Sequence, residues 1–229
     1  MKKIAGLINK LNMMKIILSL FLVTSIAFIS KGQTRLFVDP EFSKYGNDHE
    51  TIAVVPFKTS ISFRPKQMAT LEKGELEKME EDESLMIQQS MYSWFLKRKQ
   101  QGSMWVDVQD ASTTNALLAK NGITYSNMNE YTPSEIAEIL KVDAVIKGTF
   151  KTNKPMSEGA SIALGLLIGF YGSTNKATVN MFIHDAVEGR VLVNYNKAVA
   201  GSIGSSPDQL INIVMRKASR RIPYTKPKE

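Results

Sequence analysis

The sequence contains no cysteine in its 229 residues. Disulfides, thiolate metal sites and cysteine nucleophiles are therefore excluded, as is lipidation of a cysteine behind an export signal. Imidazole is almost as scarce, with His49 and His184 the two examples. No H-x-x-H or paired His/carboxylate spacing occurs, so no metal or other cofactor is expected. Apolar runs long enough to span a bilayer as a helix are also missing. The first apolar run, Ile16–Ile29, has 14 residues. That fits the ~7–15 of a signal-peptide core and falls short of the ~18 of a membrane-spanning helix.

Lys15 precedes this run, and Ser30 and Gly32 stand at −3 and −1 of a cut before Gln33. Residues 1–32 therefore read as a signal peptide, with Met13 or Met14 as alternative starts and a retained N-terminal anchor helix as the competing reading. The leader holds Lys2, Lys3, Lys10, Lys15 and Lys31 and no acid, so its removal takes the formal charge from +7 to 24 − 22 = +2. The basic excess belongs largely to the leader, and nucleic acid is not expected as a partner. About 195 remaining residues suffice for one domain with a substantial core.

Residues 33–50 are polar, with turn signals at Asp39-Pro40 and Tyr45–Asp48, and read as a flexible lead-in. Thr51–Phe57 is continuously apolar, as in a strand buried on both faces, and Pro56 is expected to end it. Ser60–Gly74 has no clear period. Glu75–Gln101 carries apolar residues at helical spacing, with acids at its front and Lys97, Arg98 and Lys99 at its back, matching the helix dipole. Met104–Val108 reads as a short strand and Asp110–Lys120 as a helix closed by Asn121-Gly122. Thr132-Pro133-Ser134-Glu135 is a capping box that opens a short helix running into the apolar strand Val142–Phe150. Lys176–Asp185 and Arg190–Lys197 alternate about a turn at 186–189, the pattern of a hairpin with one buried face. Ser206-Pro207-Asp208-Gln209 is a second capping box, opening a C-terminal helix whose last turns hold Arg216, Lys217, Arg220 and Arg221. Residues 223–229 read as a tail, frayed from Thr225 on.

The motifs Ala53-Val54-Val55-Pro56-Phe57, Val142–Phe150 and Asp185 to Leu192 together resemble a family of envelope domains. Its members include the curli-secretion channel protein CsgG, the penicillin-binding-protein activator LpoB and the N-terminal domain of TolB. The resemblance covers residues 51–222. It implies a single α/β (α+β) domain: a mixed sheet of about four to five strands packed by the long helix and the C-terminal helix. It also implies work by protein contact in the envelope, without catalysis and sometimes with oligomerisation. This chain departs from CsgG and LpoB in lacking their lipidated cysteine.

Catalytic chemistry has little to stand on. Ser202, His184 and Asp185 can be written as a triad, but neighbouring strand residues point to opposite faces. Gly201–Ser206 precedes a helix yet lacks the lysine of a phosphate-binding loop. The stretch that departs from an ordinary domain is 156–174. Its core, 159–172, is uncharged, with Gly165 and Gly169 at G-x-x-x-G spacing. It reads either as a buried element closing over the sheet or as a membrane or subunit contact made by Ile162, Leu164, Gly165, Leu167, Ile168, Gly169, Phe170 and Tyr171. The lack of alternation from Leu164 to Phe170 argues against a β-barrel strand. The expected function is that of an exported, non-enzymatic envelope protein, located in the periplasm or at the outer-membrane periphery. Its expected partner is an envelope protein, with homo-oligomerisation and peripheral membrane contact as further expectations. The alternatives are a membrane-associated oligomeric component of a secretion or transport assembly using 159–172, and a small-molecule or glycan binder using the surface around the hairpin.

Overall fold

A strand that meets proline must break its ladder, and the architecture is set by how this chain handles Pro56. In the computed structural model, which describes residues 34–63, 65–152, 176–200 and 207–225, β2 (Thr51–Val54) pairs in parallel with β5 (Ala144–Thr152). The chain then skips past Pro56 and resumes as β3 (Lys58–Ile61), parallel to the same strand. Four steps from Val54 to Lys58 match three from Ile146 to Thr149, so one extra residue is accommodated at the proline. β2 thus stops before Pro56, as expected, and the chain rejoins the same partner strand as β3 after the extra residue. The Val54 carbonyl at this break accepts a hydrogen bond from Gln88 Nε2 at 2.8 Å. The ring of Phe57 is fully buried over Gly148.

Among the described residues the sheet has seven strands, in the order β1 (Thr34–Val38), β7 (Val191–Ala200), β6 (Lys176–Asp185), β5, β2 and β4 (Asp107–Val108), with β3 off this path on β5. The mixed α/β architecture is as expected, and the strand count is larger for identifiable reasons. β3 is hidden behind Pro56. β1 (Thr34–Val38) and the short helix α1 (Phe42–Gly46) lie in the segment expected to be a loose lead-in. β1 pairs antiparallel with β7 (Val191–Ala200), Leu36 opposite Tyr195. The expected strand at Met104–Val108 is reduced to β4 (Asp107–Val108), parallel to β2. The long antiparallel hairpin of β6 (Lys176–Asp185) and β7 forms as its alternation requires, with a register shift after Ile183.

Two layers of helix cover the sheet unequally. On one face Ile52, Val54, Ile146, Phe150, Val179, Met181 and Val193 pack against Ile87, Met91 and Phe95 of one helix and Val214, Met215 and Ala218 of another. The first is α3 (Glu75–Gln100), which follows the single-turn α2 (Pro65–Met68); the second is α6 (Pro207–Ser219). On the other face Ala53, Val55 and Val145 meet Leu118 of α4 (Ala111–Lys120) and Ile136, Ala137 and Leu140 of α5 (Pro133–Leu140). The Thr132–Glu135 capping box is complete, with Pro133 in the first turn. Lys141, at φ 55°, ends α5 and turns the chain into β5.

The last helix is followed by a short ordered segment. Pro223–Thr225 forms a 3-10 turn, and Tyr224 is fully buried. Residues 1–33, 64, 153–175, 201–206 and 226–229 lie outside the described residues, and with them the leader, the apolar stretch 159–172 and the end of the tail.

A Cβ on Gly148 would sit 2.3 Å from the Asn180 carbonyl oxygen and 2.8 Å from the Phe57 ring. The substitution Gly148→Ala is therefore expected to destabilise the domain by about 2–3 kcal/mol, measurable as a lower urea midpoint with unchanged slope.

Candidate functional site

The free edge, the open face and the turn end of the sheet carry the side chains available for function. At the turn end His49, which the sequence places in a polar lead-in, is buried. Its Nδ1 lies 2.5 Å from Tyr224 Oη and its Nε2 3.0 Å from Asp185 Oδ1. The other Asp185 oxygen accepts the backbone N–H groups of Val187 and Glu188, both at 2.9 Å. With Asp185 as the acceptor at Nε2–H, Nδ1 is left to accept the Tyr224 hydroxyl. Burial, with Asp185 and Asp143 nearby, holds the Tyr224 phenol well above its usual range. Beside this group Arg190 grips Asp39 through two nitrogens, at 2.7 and 3.1 Å, and reaches Tyr45 at 3.2 Å. That pairing lowers the Asp39 pKa and raises the Arg190 pKa.

A hollow of about 310 Å³ adjoins these groups, lined in part by Lys44, Asp48, His49, Asp143 and Asp185. Two of its carboxylates already serve the backbone: besides Asp185, Asp143 Oδ2 accepts the N–H groups of Glu50 and Thr51, both at 2.8 Å. No group of three potential metal ligands occurs among the described residues. The turn end is a clasp joining residues separated by 136 and 175 positions in sequence.

His184 and Asp185 lie on opposite sides of β6, so the triad is not assembled from them. The His184 ring donates from Nδ1 to the Gly189 carbonyl, 3.1 Å away, and faces a groove with Phe182. Ser202 lies outside the described residues. The groove, about 290 Å³, lies where α5 stops covering the sheet and is lined by Lys58, Asn129, Lys147, Thr149, Phe182 and His184 among others. Lys147, the charge inside the apolar strand, is half-buried there, and its ammonium forms no hydrogen bond or ion pair among the described residues. Burial lowers its pKa. The His184 pKa is lowered by burial first, and further by Lys147.

The edge strand β1 is the other exposed element. Leu36 is 42% and Phe37 49% exposed, one on each face of the strand. The Asp39 N–H donates to the Leu192 carbonyl at 2.8 Å. Antiparallel alternation then turns the amides of Arg35 and Phe37 toward β7 and those of Leu36 and Val38 outward. The eight residues expected at the membrane or subunit contact, Ile162 to Tyr171, lie outside the described residues. The strands that flank them are described: Thr152 pairs with Ala177, so the 153–175 connection leaves and returns at one end of the sheet.

No family model matches this chain, and no curated protein matches it. Several solved structures are similar at low identity. The PelC dodecamer from Paraburkholderia phytofirmans is 13% identical over 85% of this chain and 98% of that one, with a TM-score of 0.40. Lipoprotein GNA1162 from Neisseria meningitidis is 14% identical over 73% and 92%, with a TM-score of 0.41. The LpoB C-terminal domain from Salmonella enterica is 10% identical over 67% and 84%, with a TM-score of 0.33. LpoB is also one of the proteins that the sequence motifs resemble. At these scores the similarity carries no functional argument.

Lys147→Met keeps the stem and removes an unpaired, partly desolvated charge. It is expected to stabilise the protein by about 0.5–1 kcal/mol, a value reduced by the solvent that still reaches the ammonium. A fall in thermal midpoint would show that the charge has a partner in solution.

Proposed function

We propose that this chain is an exported, non-enzymatic cell-envelope protein that acts through protein contacts, including contacts with copies of itself. The observation that carries this reading is the free edge of β1. Exposed edge strands with apolar residues invite pairing, and soluble proteins usually blunt them with charge, proline or a covering element. Here Leu36 and Phe37 remain exposed on an edge whose outward N–H and C=O groups run past Leu36 and Val38. The edge is self-complementary. An antiparallel two-fold through Leu36 sets Leu36 against its own copy and Arg35 against Phe37 of the second copy, a cation–aromatic pair across the strands. The resemblance of the 51–57, 142–150 and 185–192 motifs to envelope domains supports the compartment.

Replacing Leu36 with Lys and Phe37 with Glu puts charge on both faces of this edge without touching the core. The double variant is expected to weaken self-association at least tenfold in sedimentation equilibrium, with an unchanged circular dichroism spectrum. A wild-type protein that stays monomeric at high micromolar concentration removes self-pairing from the proposal.

A second reading, a membrane-associated oligomeric component of a secretion or transport assembly, is supported by topology. Thr34 pairs with Lys197, and Lys176 with Ala200. β1 therefore begins near the end of the sheet where β5 ends and β6 begins. On this reading, deleting 159–172 shifts the protein from the membrane fraction to the soluble fraction. Unchanged fractionation and oligomer size in the deletion variant would eliminate it.

A further inference from the structure

Basic residues at the ends of helices need little explanation, because the helix dipole favours them there. Arg98 does need one. It stands in the last turn of α3 and is 8% exposed. Its Nη1 donates to Gln101 Oε1 at 3.2 Å. Its Nε and Nη2 are buried and have no hydrogen-bond partner. These two nitrogens form one side of the guanidinium, the fork that binds two oxygens of a carboxylate or phosphate at once.

The surroundings do not neutralise it. Its guanidinium carbon lies 5.7 Å from the centre of the Trp94 ring, a weak attraction. The charges that act on it are cations: Arg220 and Arg216, at the end of α6. Burial comes first among the causes that lower its pKa, followed by these two arginines. α3 and α6 pack against each other through Met91, Phe95, Val214 and Met215, and Arg98 feels the charges of Arg216, in the last turn of α6, and Arg220, just beyond it. No acidic side chain forms an ion pair with any of the three arginines among the described residues. A buried guanidinium with two unpartnered donors beside two further, exposed cations is costly unless an anion joins them.

We propose that Arg98, Arg216 and Arg220 form a binding site for a phosphate-type oxyanion where the C-terminal ends of α3 and α6 meet. The Arg98 fork takes two oxygens of the anion, and the exposed Arg216 and Arg220 close over the remaining ones. The indole of Trp94 forms one wall and reports on occupancy. The anion is either free inorganic phosphate or the phosphodiester of an anionic lipid headgroup. The site is separate from the β1 edge and stands or falls independently of self-pairing there.

The test uses the full chain with inorganic phosphate as the probe and potassium chloride at matched ionic strength as the control. The thermal midpoint is expected to rise with phosphate concentration beyond the chloride effect, as binding to the folded state requires, with a saturable change in tryptophan emission. Arg98→Met is expected to abolish both responses. Since Arg98 is buried, the double variant Arg216→Gln/Arg220→Gln, altered only at exposed positions, serves as an independent check and is expected to bind phosphate at least tenfold more weakly. Vesicles of phosphatidylcholine, with and without phosphatidylglycerol, separate the two sources. Binding only to the anionic vesicles, competed by phosphate, identifies a lipid headgroup; a phosphate response without vesicle binding identifies the free ion. A wild-type phosphate response no larger than that to chloride overturns the proposal, as does an equal response in the double variant.

Discussion

The missing N–H of Pro56 is the constraint around which this domain is arranged. A parallel ladder cannot run through it, so the chain inserts one residue and rejoins β5 in a shifted register. The carbonyl at the break is met by Gln88 from α3, which ties the long helix to the point of weakness. The displaced Phe57 then needs space beside β5, and Gly148 supplies it by having no side chain. Proline, glutamine, phenylalanine and glycine, far apart in sequence, solve one steric problem between them. Each is intelligible only beside the other three.

The asymmetry of the sheet follows from what covers it. α3 and α6 cover one face with a dense apolar layer. α4 and α5 cover only the β2–β5 part of the other. The uncovered remainder holds the Lys147 groove and the exposed side of β1. Among the described residues these are the parts of the sheet that no helix covers. The groups exposed there are backbone amides, aromatic rings and cations, while Asp143 and Asp185 at the turn end are held by backbone N–H groups.

Much of this fold can be read from the sequence where local chemistry dictates it. The continuous apolar runs at 51–57 and 142–150, the Thr132 capping box and the hairpin alternation all depend on near neighbours, and they form as those neighbours require. β1 escapes such a reading because an edge strand buries little, so Thr34–Val38 shows no buried face. His49 escapes for the opposite reason: its burial depends on Asp185 and Tyr224, contacts that no window of sequence contains. Arg98 is a third kind of case. Its neighbours Lys97 and Lys99 are ordinary exposed helix-end cations. Only the approach of a second helix end distinguishes the residue between them.

The clasp at the turn end has a consequence for the order of events in folding. His49 closes the connection from α1 to β2, and its partner Tyr224 follows the last helix. A contact of this span forms late, because the loop it closes includes most of the domain. Until Tyr224 arrives, the imidazole and the Asp185 carboxylate lack their cover and the first segments stay loosely held. The clasp therefore couples the start of the domain to the segment after its last helix, so that loosening either end loosens the other.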